Sequence, residues 1–213
     1  MNVLVIGANG NSGFRVVQQL SDHAAHTPVA MIRDESQQQR FAALGVRTVV
    51  ADLEQPIEHA FAGCEAVIFA AGSGPKTGKD KTVLIDQVGG IKAAVAALNT
   101  GTKRFVMLSG LNVDRDAEGD PIPHWRRAKG RADDFIRTMD KAFDGEKLDE
   151  TIVCPGGLTD DGPTDAIQIV PPKGEGKTVR DNLAATMVAC LDTPQTIGQT
   201  FGVINGDRRV TEA

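Results

Sequence analysis

The sequence predicts an α/β fold, a doubly wound parallel sheet with helices on both faces. Three observations carry this. Short apolar runs alternate with helix-period segments through residues 1–154. The first run, Val3, Leu4, Val5 and Ile6, is apolar at every position, as a parallel strand buried on both faces requires. A glycine-rich turn, Gly7-Ala8-Asn9-Gly10-Asn11-Ser12-Gly13, then joins that run to a helical pattern. A chain of 213 residues fits one domain of this kind. Right-handed crossovers imply the strand order 3-2-1-4-5-6.

The elements follow in order. Residues 3–6 are the first strand; Gly13, Val16, Val17 and Leu20 then recur at i, i+3, i+4 and i+7, one face of a helix. Residues 28–32 read as the second strand, 37–44 as a short helix, 47–51 as the third strand and 66–70 as the fourth. Leu84, Val88, Ile91, Val95 and Leu98 mark the stripe of a long helix, and residues 104–108 the fifth strand. Ala128, Ala132, Phe135, Ile136, Met139 and Phe143 stripe another helix before the sixth strand at 151–154. Pro155-Gly156-Gly157 then breaks the pattern, and residues 160–163 and 171–177 are rich in turn formers. A helix at 182–191 and a late strand at 199–204 complete the chain. The stretch 111–123 carries Asp114, Asp116, Glu118 and Asp120 and reads either as a mobile loop over the site or as a plain solvated loop. Its spacing does not fit a helix–loop–helix calcium site.

Composition narrows the class. Hydrophobic residues are 41% and charged residues 24%, which excludes a disordered chain. No apolar run is long enough for a membrane-spanning helix. Lys and Arg number 23 against 28 Asp and Glu, a net charge of −5, so there is no general attraction to nucleic acid or to an anionic membrane. Cys64, Cys154 and Cys190 are odd in number and dispersed, neither a disulfide framework nor a metal-ligand pattern. Residues 1–6 run into the glycines without the features of a secretory signal. A cytoplasmic protein with reduced thiols is the expectation, and no metal is expected.

The glycine turn carries the chemistry. Gly7 permits a tight turn, Gly10 lets a pyrophosphate approach the backbone, and Gly13 lets the helix pack closely on the sheet. Asn9 completes the turn, and Asn11 and Ser12 stand where the first free helix N–H groups favour an anion. Residues 1–213 are thus read as a single domain: a dinucleotide-binding core at 1–154 and a small substrate-side lobe at 155–213.

With these residues in view, the chain resembles the atypical short-chain dehydrogenase/reductase superfamily, near the biliverdin/flavin reductases and the nitrogen-regulator-like cofactor sensors. The resemblance extends through Val50-Ala51-Asp52-Leu53, Ala70-Ala71-Gly72 and Lys103-Arg104-Phe105-Val106-Met107-Leu108-Ser109. It continues through Arg127-Ala128-Lys129-Gly130-Arg131-Ala132-Asp133-Asp134 and Cys154-Pro155-Gly156-Gly157-Leu158. It implies that Asp52 and Leu53 flank an adenine, that Ala70, Ala71 and Gly72 line the cofactor, and that Pro155 and Gly156 contact it. Gly157 and Leu158 would reach the substrate pocket.

An acid at the end of the second strand would favour NAD. Here Arg33 follows that strand, and a guanidinium fork suits the 2′-phosphate of NADP(H). Asp34 is read as orienting Arg33. Reductases of this resemblance use a Tyr-x-x-x-Lys pair with a Ser or Thr. Lys129 is in place, but Trp125 stands where Tyr belongs, and the chain contains no Tyr at all. An indole N–H donates a hydrogen bond but does not release a proton. Lys129 would hold the ribose, Trp125 would wall the nicotinamide pocket, and Ser109 is the candidate hydroxyl, with Gly110 where a Ser often stands. His124 is the nearby group able to replace the acid, or else a solvated loop residue.

His23 and His26 are read as structural at a helix end, and Cys154 as a buried small hydrophobe. The basic cluster Arg126, Arg127, Lys129 and Arg131 suits an anionic substrate better than nucleic acid. The expected partner is a small molecule, with no nucleic acid and no membrane, and the protein a monomer or homodimer. Two functions compete: an NADPH-dependent oxidoreductase acting on a quinone or flavin, and a non-catalytic NADP(H)-binding redox sensor. An epimerase ranks third, since it too needs the Tyr.

Overall fold

A computed structural model describes residues 1–74, 78–116 and 124–210. The chain runs β1 (Asn2–Ile6), α1 (Asn11–Ser21), β2 (Thr27–Ile32), α2 (Gln38–Ala42), β3 (Arg47–Val50), β4 (Ala66–Phe69) and α3 (Lys79–Lys81). A π-helical stretch, Thr82–Gly89, leads into α4 (Gly90–Asn99). Then come β5 (Arg104–Leu108), α5 (His124–Arg137), β6 (Asp149–Pro155), β7 (Gly157–Thr159), β8 (Ala166–Val170), β9 (Lys177–Val179), α6 (Arg180–Ala189), β10 (Gln199–Asn205) and β11 (Arg208–Arg209).

The two-residue period of the central strands divides their side chains between two cores. Leu4 and Ile6 of β1, Val67 and Phe69 of β4, and Phe105 and Met107 of β5 enter one core. Val3, Val5, Ala66, Ile68, Val106 and Leu108 enter the other. α4 and α5 close the first through Ala93, Ala97, Ala132 and Ile136. α1 and α6 close the second through Val16, Val17, Leu20, Leu183 and Met187. The first six strands are parallel and take the expected order 3-2-1-4-5-6. This order places the β1 and β4 ends beside each other where the chain crosses to opposite faces, and the glycine turn opens there.

Residues 155–213, expected as a small lobe, partly continue this sheet. β10 adds to β6 in parallel, and β8 and β11 follow antiparallel. β7 and β9 form a separate two-stranded ribbon. The turn formers around β7, β8, β9 and β11 hid these strands, which are short and held by their neighbours rather than by periodicity.

The expected stripe of the long helix is corrected. Leu84 and Val88 are exposed, and the buried face is built of Ala93, Ala94, Ala96, Ala97 and Leu98. A π turn takes more residues than an α turn, so a 3.6-residue phase does not carry through Thr82–Gly89. The alanines and Gly90 bring α4 close: a Cβ on Gly90 would meet Ala132 Cβ and Met107 Cε at 3.3 Å. His23 and His26 are structural ties. Their rings stack at 4.4 Å, and His26 Nε2 lies 3.0 Å from Asp192 Oδ2, joining the end of α1 to the turn after α6. Of the acidic loop at 111–123, residues 117–123 lie outside the described part.

Candidate functional site

The glycine turn is a cradle with no spare room. Gly7 has φ +84°, and a Cβ there would lie 2.6 Å from Ala71 Cα. A Cβ on Gly13 would lie 2.2 Å from the Gly7 carbonyl oxygen. The Gly10 N–H donates to Gly7 O at 2.9 Å and closes the turn. α1 starts at Asn11 with no side-chain cap and no acid in its first turn, so its leading N–H groups suit an anion.

A cleft of about 330 Å³ opens from this cradle. Gly7, Asn9, Gly10, Arg33, Leu53, Ala70, Ala71 and Gly72 line it. Asp52 does not, because its carboxylate turns back to accept from the Glu54 N–H at 3.0 Å. Asp34 does not orient Arg33: it accepts from Ser36 N–H at 2.7 Å and caps a 3₁₀ turn, a bond that holds its carboxyl below the usual range. The exposed Arg33 side chain stands at the cleft edge. A second cation went unnoticed in the sequence. Arg40 Nη1 donates to Asn9 O and Oδ1 at 2.8 and 2.7 Å, and its guanidinium lies 3.6 Å over the Phe14 ring. It stands 31 positions from Asn9 in the chain, and only the β2–α2 turn brings it to the loop.

Past Ala71 and Gly72 lies a polar network. The buried Asp86, from the π turn, accepts from Ser73 N–H at 2.9 Å through Oδ2, while its Oδ1 lies 3.3 Å from Lys129 Nζ. Lys129 also donates to Leu108 O at 3.2 Å. Thr82 Oγ1 lies 3.1 Å from Ser73 Oγ and 2.9 Å from His124 Nε2. Asp86, Thr82 and Ser73 escaped the sequence reading. A carboxylate inside an apolar helix was the available signal, but its partner is 43 positions away, on α5.

The remaining candidates are placed differently. Ser109 is buried and donates to the buried Asp133, away from the cleft lining. Trp125 is half-buried and lies against Gly110, where a Cβ would meet the indole at 3.0 and 3.3 Å. Gly110 therefore makes room for the indole. Pro155 and Gly156 lie outside the cleft wall: Pro155 O accepts from Leu111 N–H, and Gly156 N–H is taken by Thr178 Oγ1 at 2.9 Å. They dock the β7–β9 ribbon, and Gly157 and Leu158 lie exposed within β7. Cys154 is buried as expected, and burial pushes its thiol up to about 12, so it is an inert hydrophobe at neutral pH.

Burial pushes Asp133 up from 3.8 to about 6, against the opposing effects of Ser109 and Lys129. Its Oδ1 has no hydrogen-bond partner among the described residues. A folded-state value above the unfolded one means that the fold favours the protonated acid. The associated stability is complete below the unfolded value and declines as pH rises through about 6. The gap corresponds to about 3 kcal/mol. Urea denaturation between about pH 4 and pH 6 is expected to show a smaller decline in Asp133→Asn than in the parent protein. Parallel declines would assign the effect to other groups.

Comparison with known proteins places this geometry in context. A family profile described as NAD(P)H-binding matches residues 7–194. The chain is 37% identical over 217 aligned residues to a Bacillus subtilis (strain 168) protein named "Uncharacterized sugar epimerase YhfK", covering 100% of this chain and 98% of that one. A solved Bacillus halodurans structure, named "Putative NAD-dependent epimerase/dehydratase", is 40% identical with a TM-score of 0.90, over 99% of this chain and 97% of that one. At 21% identity, ChuY, "An Anaerobillin Reductase from Escherichia coli O157:H7", shares the fold with a TM-score of 0.78 over 98% and 99% of the two chains. Because the profile match begins at the first glycine of the cradle and runs past the end of α6, this chain belongs to the NAD(P)H-binding family.

Proposed function

We propose that the protein is an NADP(H)-dependent oxidoreductase that reduces a small conjugated acceptor such as a quinone or flavin. The single observation behind this reading is the cleft, which has a backbone cradle and cations at one end and the Lys129–Asp86 pair beyond the other. The cradle suits a dinucleotide: the missing side chains at Gly7 and Gly13 let β1, the Ala71 backbone and α1 close tightly on one another, and Gly10 leaves the backbone open to the cleft. When bound, the nicotinamide supplies hydride. Gly10 and the first amides of α1, at Asn11 and Ser12, would hold the pyrophosphate, and Leu53 the adenine side. Ala70, Ala71 and Gly72 would wall the cofactor with small groups, and Lys129, positioned by Asp86, would hold the ribose.

Arg33, joined by Arg40, is assigned to the 2′-phosphate. A charge-assisted bond of this kind contributes about 1.5–3 kcal/mol. NADP(H) is therefore expected to bind at least about tenfold tighter than NAD(H). Arg33→Ala should remove most of that preference with little change for NAD(H). Equal affinities in the parent protein, by calorimetry, would refute the assignment.

The test of the function is NADPH oxidation against quinones, flavins and aldehydes. Steady turnover supports the reductase. Tight binding without turnover supports a second reading, a cofactor sensor, which is favoured by Trp125 in the Tyr position and by the commitment of Ser109 to Asp133. The name of the Bacillus subtilis relative suggests sugar epimerisation. That reaction needs a base at the substrate hydroxyl, and Trp125 supplies none. On the reductase reading the partner is a small molecule rather than nucleic acid or membrane, with the protein a cytoplasmic monomer or homodimer. No helix among the described residues is long and apolar enough to cross a membrane.

A further inference from the structure

We propose that His124, Thr82 and Ser73 form a proton relay into the cofactor cleft that replaces the missing tyrosine in carbonyl reduction. This rests on the reductase reading above. Ser73 lines the cleft immediately after Gly72. Its Oγ lies 3.1 Å from Thr82 Oγ1, which lies 2.9 Å from His124 Nε2. The three groups run from the surface through the interior to the cleft: His124 is exposed, Thr82 is 2% exposed, and Ser73 is half-buried at the cleft. A hydroxyl donates and accepts at one oxygen, so two in series pass a proton without a lasting charge on either. The imidazole both accepts and donates protons at its ring nitrogens, and His124 is the exposed member of the three.

The relay is also anchored. Asp86 holds the Ser73 N–H through one oxygen and faces Lys129 through the other. One buried carboxylate thereby sets the end of the relay and the lysine assigned to the ribose. Thr82 and Asp86 both belong to the π turn, a local distortion that recurs at functional sites. If the hydroxyls only tied this turn to α5, the Ser73 end would not need to face the cleft.

As hydride reaches the acceptor carbon, Ser73 Oγ gives its proton to the acceptor oxygen. The C=O double bond becomes H–C–O–H, and the nicotinamide leaves oxidised. Thr82 Oγ1 returns a proton to Ser73, the His124 imidazolium returns one to Thr82, and water returns one to His124. No further oxidant or reductant is needed. Aliphatic hydroxyls relay less readily than a phenol donates, so carbonyl turnover is expected to be slow but measurable.

The experiment compares an aldehyde and a quinone as acceptors for NADPH in the parent protein, His124→Ala, Thr82→Val and Thr82→Ser. Loss of a general acid typically costs about 10²–10⁴ in rate. Aldehyde kcat is expected to fall about 100-fold in His124→Ala and Thr82→Val, while quinone turnover stays within about threefold. Thr82→Ser should keep most aldehyde activity, and added imidazole should restore His124→Ala. NADPH affinity by calorimetry should not change in any variant. Independently of activity, the His124 Nε2 signal in ¹⁵N NMR should shift in Thr82→Val and return toward the parent value in Thr82→Ser. Quinone turnover accompanied by no aldehyde turnover, by aldehyde turnover indifferent to both variants, or by no imidazole rescue overturns the relay alone. No NADPH oxidation with either acceptor overturns the reductase reading, and the relay with it.

Discussion

Gly10→Val is expected to abolish cofactor binding while leaving the protein folded. The three glycines of the cradle are not equivalent. A Cβ on Gly13 would sit 2.2 Å from Gly7 O and 2.8 Å from Gly7 C, so a side chain there pushes α1 off the sheet. A Cβ on Gly7 would strike the Ala71 backbone at 2.6 Å, in a conformation that L residues rarely adopt. At Gly10 the only neighbour within reach among the described residues is Gly7 O at 3.2 Å, and the residue is exposed at the cleft. A valine there is tolerated by the fold and fills the space where a pyrophosphate would meet the backbone. Calorimetry should show at least about a 100-fold loss of affinity, about 2.7 kcal/mol. Circular dichroism and the thermal midpoint should stay close to the parent values. Gly13→Ala should instead lower the thermal midpoint. Retained affinity in a folded Gly10→Val protein would mean that the pyrophosphate lies elsewhere.

The second large effect concerns which acceptor is reduced. Reduction of a simple ketone or aldehyde develops an alkoxide, a strong base that must be protonated as it forms. A quinone or flavin leaves a delocalised anion of much lower basicity, which solvent protonates later. Trp125 supplies no proton, and on the proposed reading its half-buried indole, which lies against Gly110, gives the acceptor a flat apolar wall. NADPH oxidation is therefore expected to be faster with quinones or flavins than with simple carbonyls, by up to about 10²–10⁴, because aliphatic hydroxyls donate a proton less readily than the phenol they would replace. Trp125→Tyr should move that ratio toward carbonyls. It places a phenol one helical turn before Lys129, which is already set by Asp86 and Leu108 O. Gly110 leaves the phenol room. The measurement is kcat with each acceptor for the parent and the variant. Efficient ketone reduction by the parent protein, unaffected by His124→Ala, would reveal an acid placed elsewhere.

What could be read from the sequence was what local chemistry dictates. Unbroken apolar runs such as Val3, Leu4, Val5 and Ile6 can satisfy both faces only inside a parallel sheet, and the glycines at 7, 10 and 13 admit a backbone turn that bulkier residues block. These features belong to neighbouring residues, so the fold, the strand order and the cofactor cradle were legible before any coordinates. The place of Arg33 at the cleft edge was legible for the same reason, since it directly follows the second strand. Tertiary structure alone decided the rest. The stripe through Leu84 and Val88 failed because a π turn changed the helical phase and turned Asp86 inward instead. Ser109 was drawn from the cleft by Asp133, 24 positions later, because the buried carboxylate accepts its hydroxyl. Arg40 reached Asn9, and Thr82 reached His124 across 42 positions, only once the crossovers had set the helices on the sheet. A polar side chain in a buried site pairs with whatever group the packing brings near, and that choice is made by distances in space that spacing along the chain does not encode.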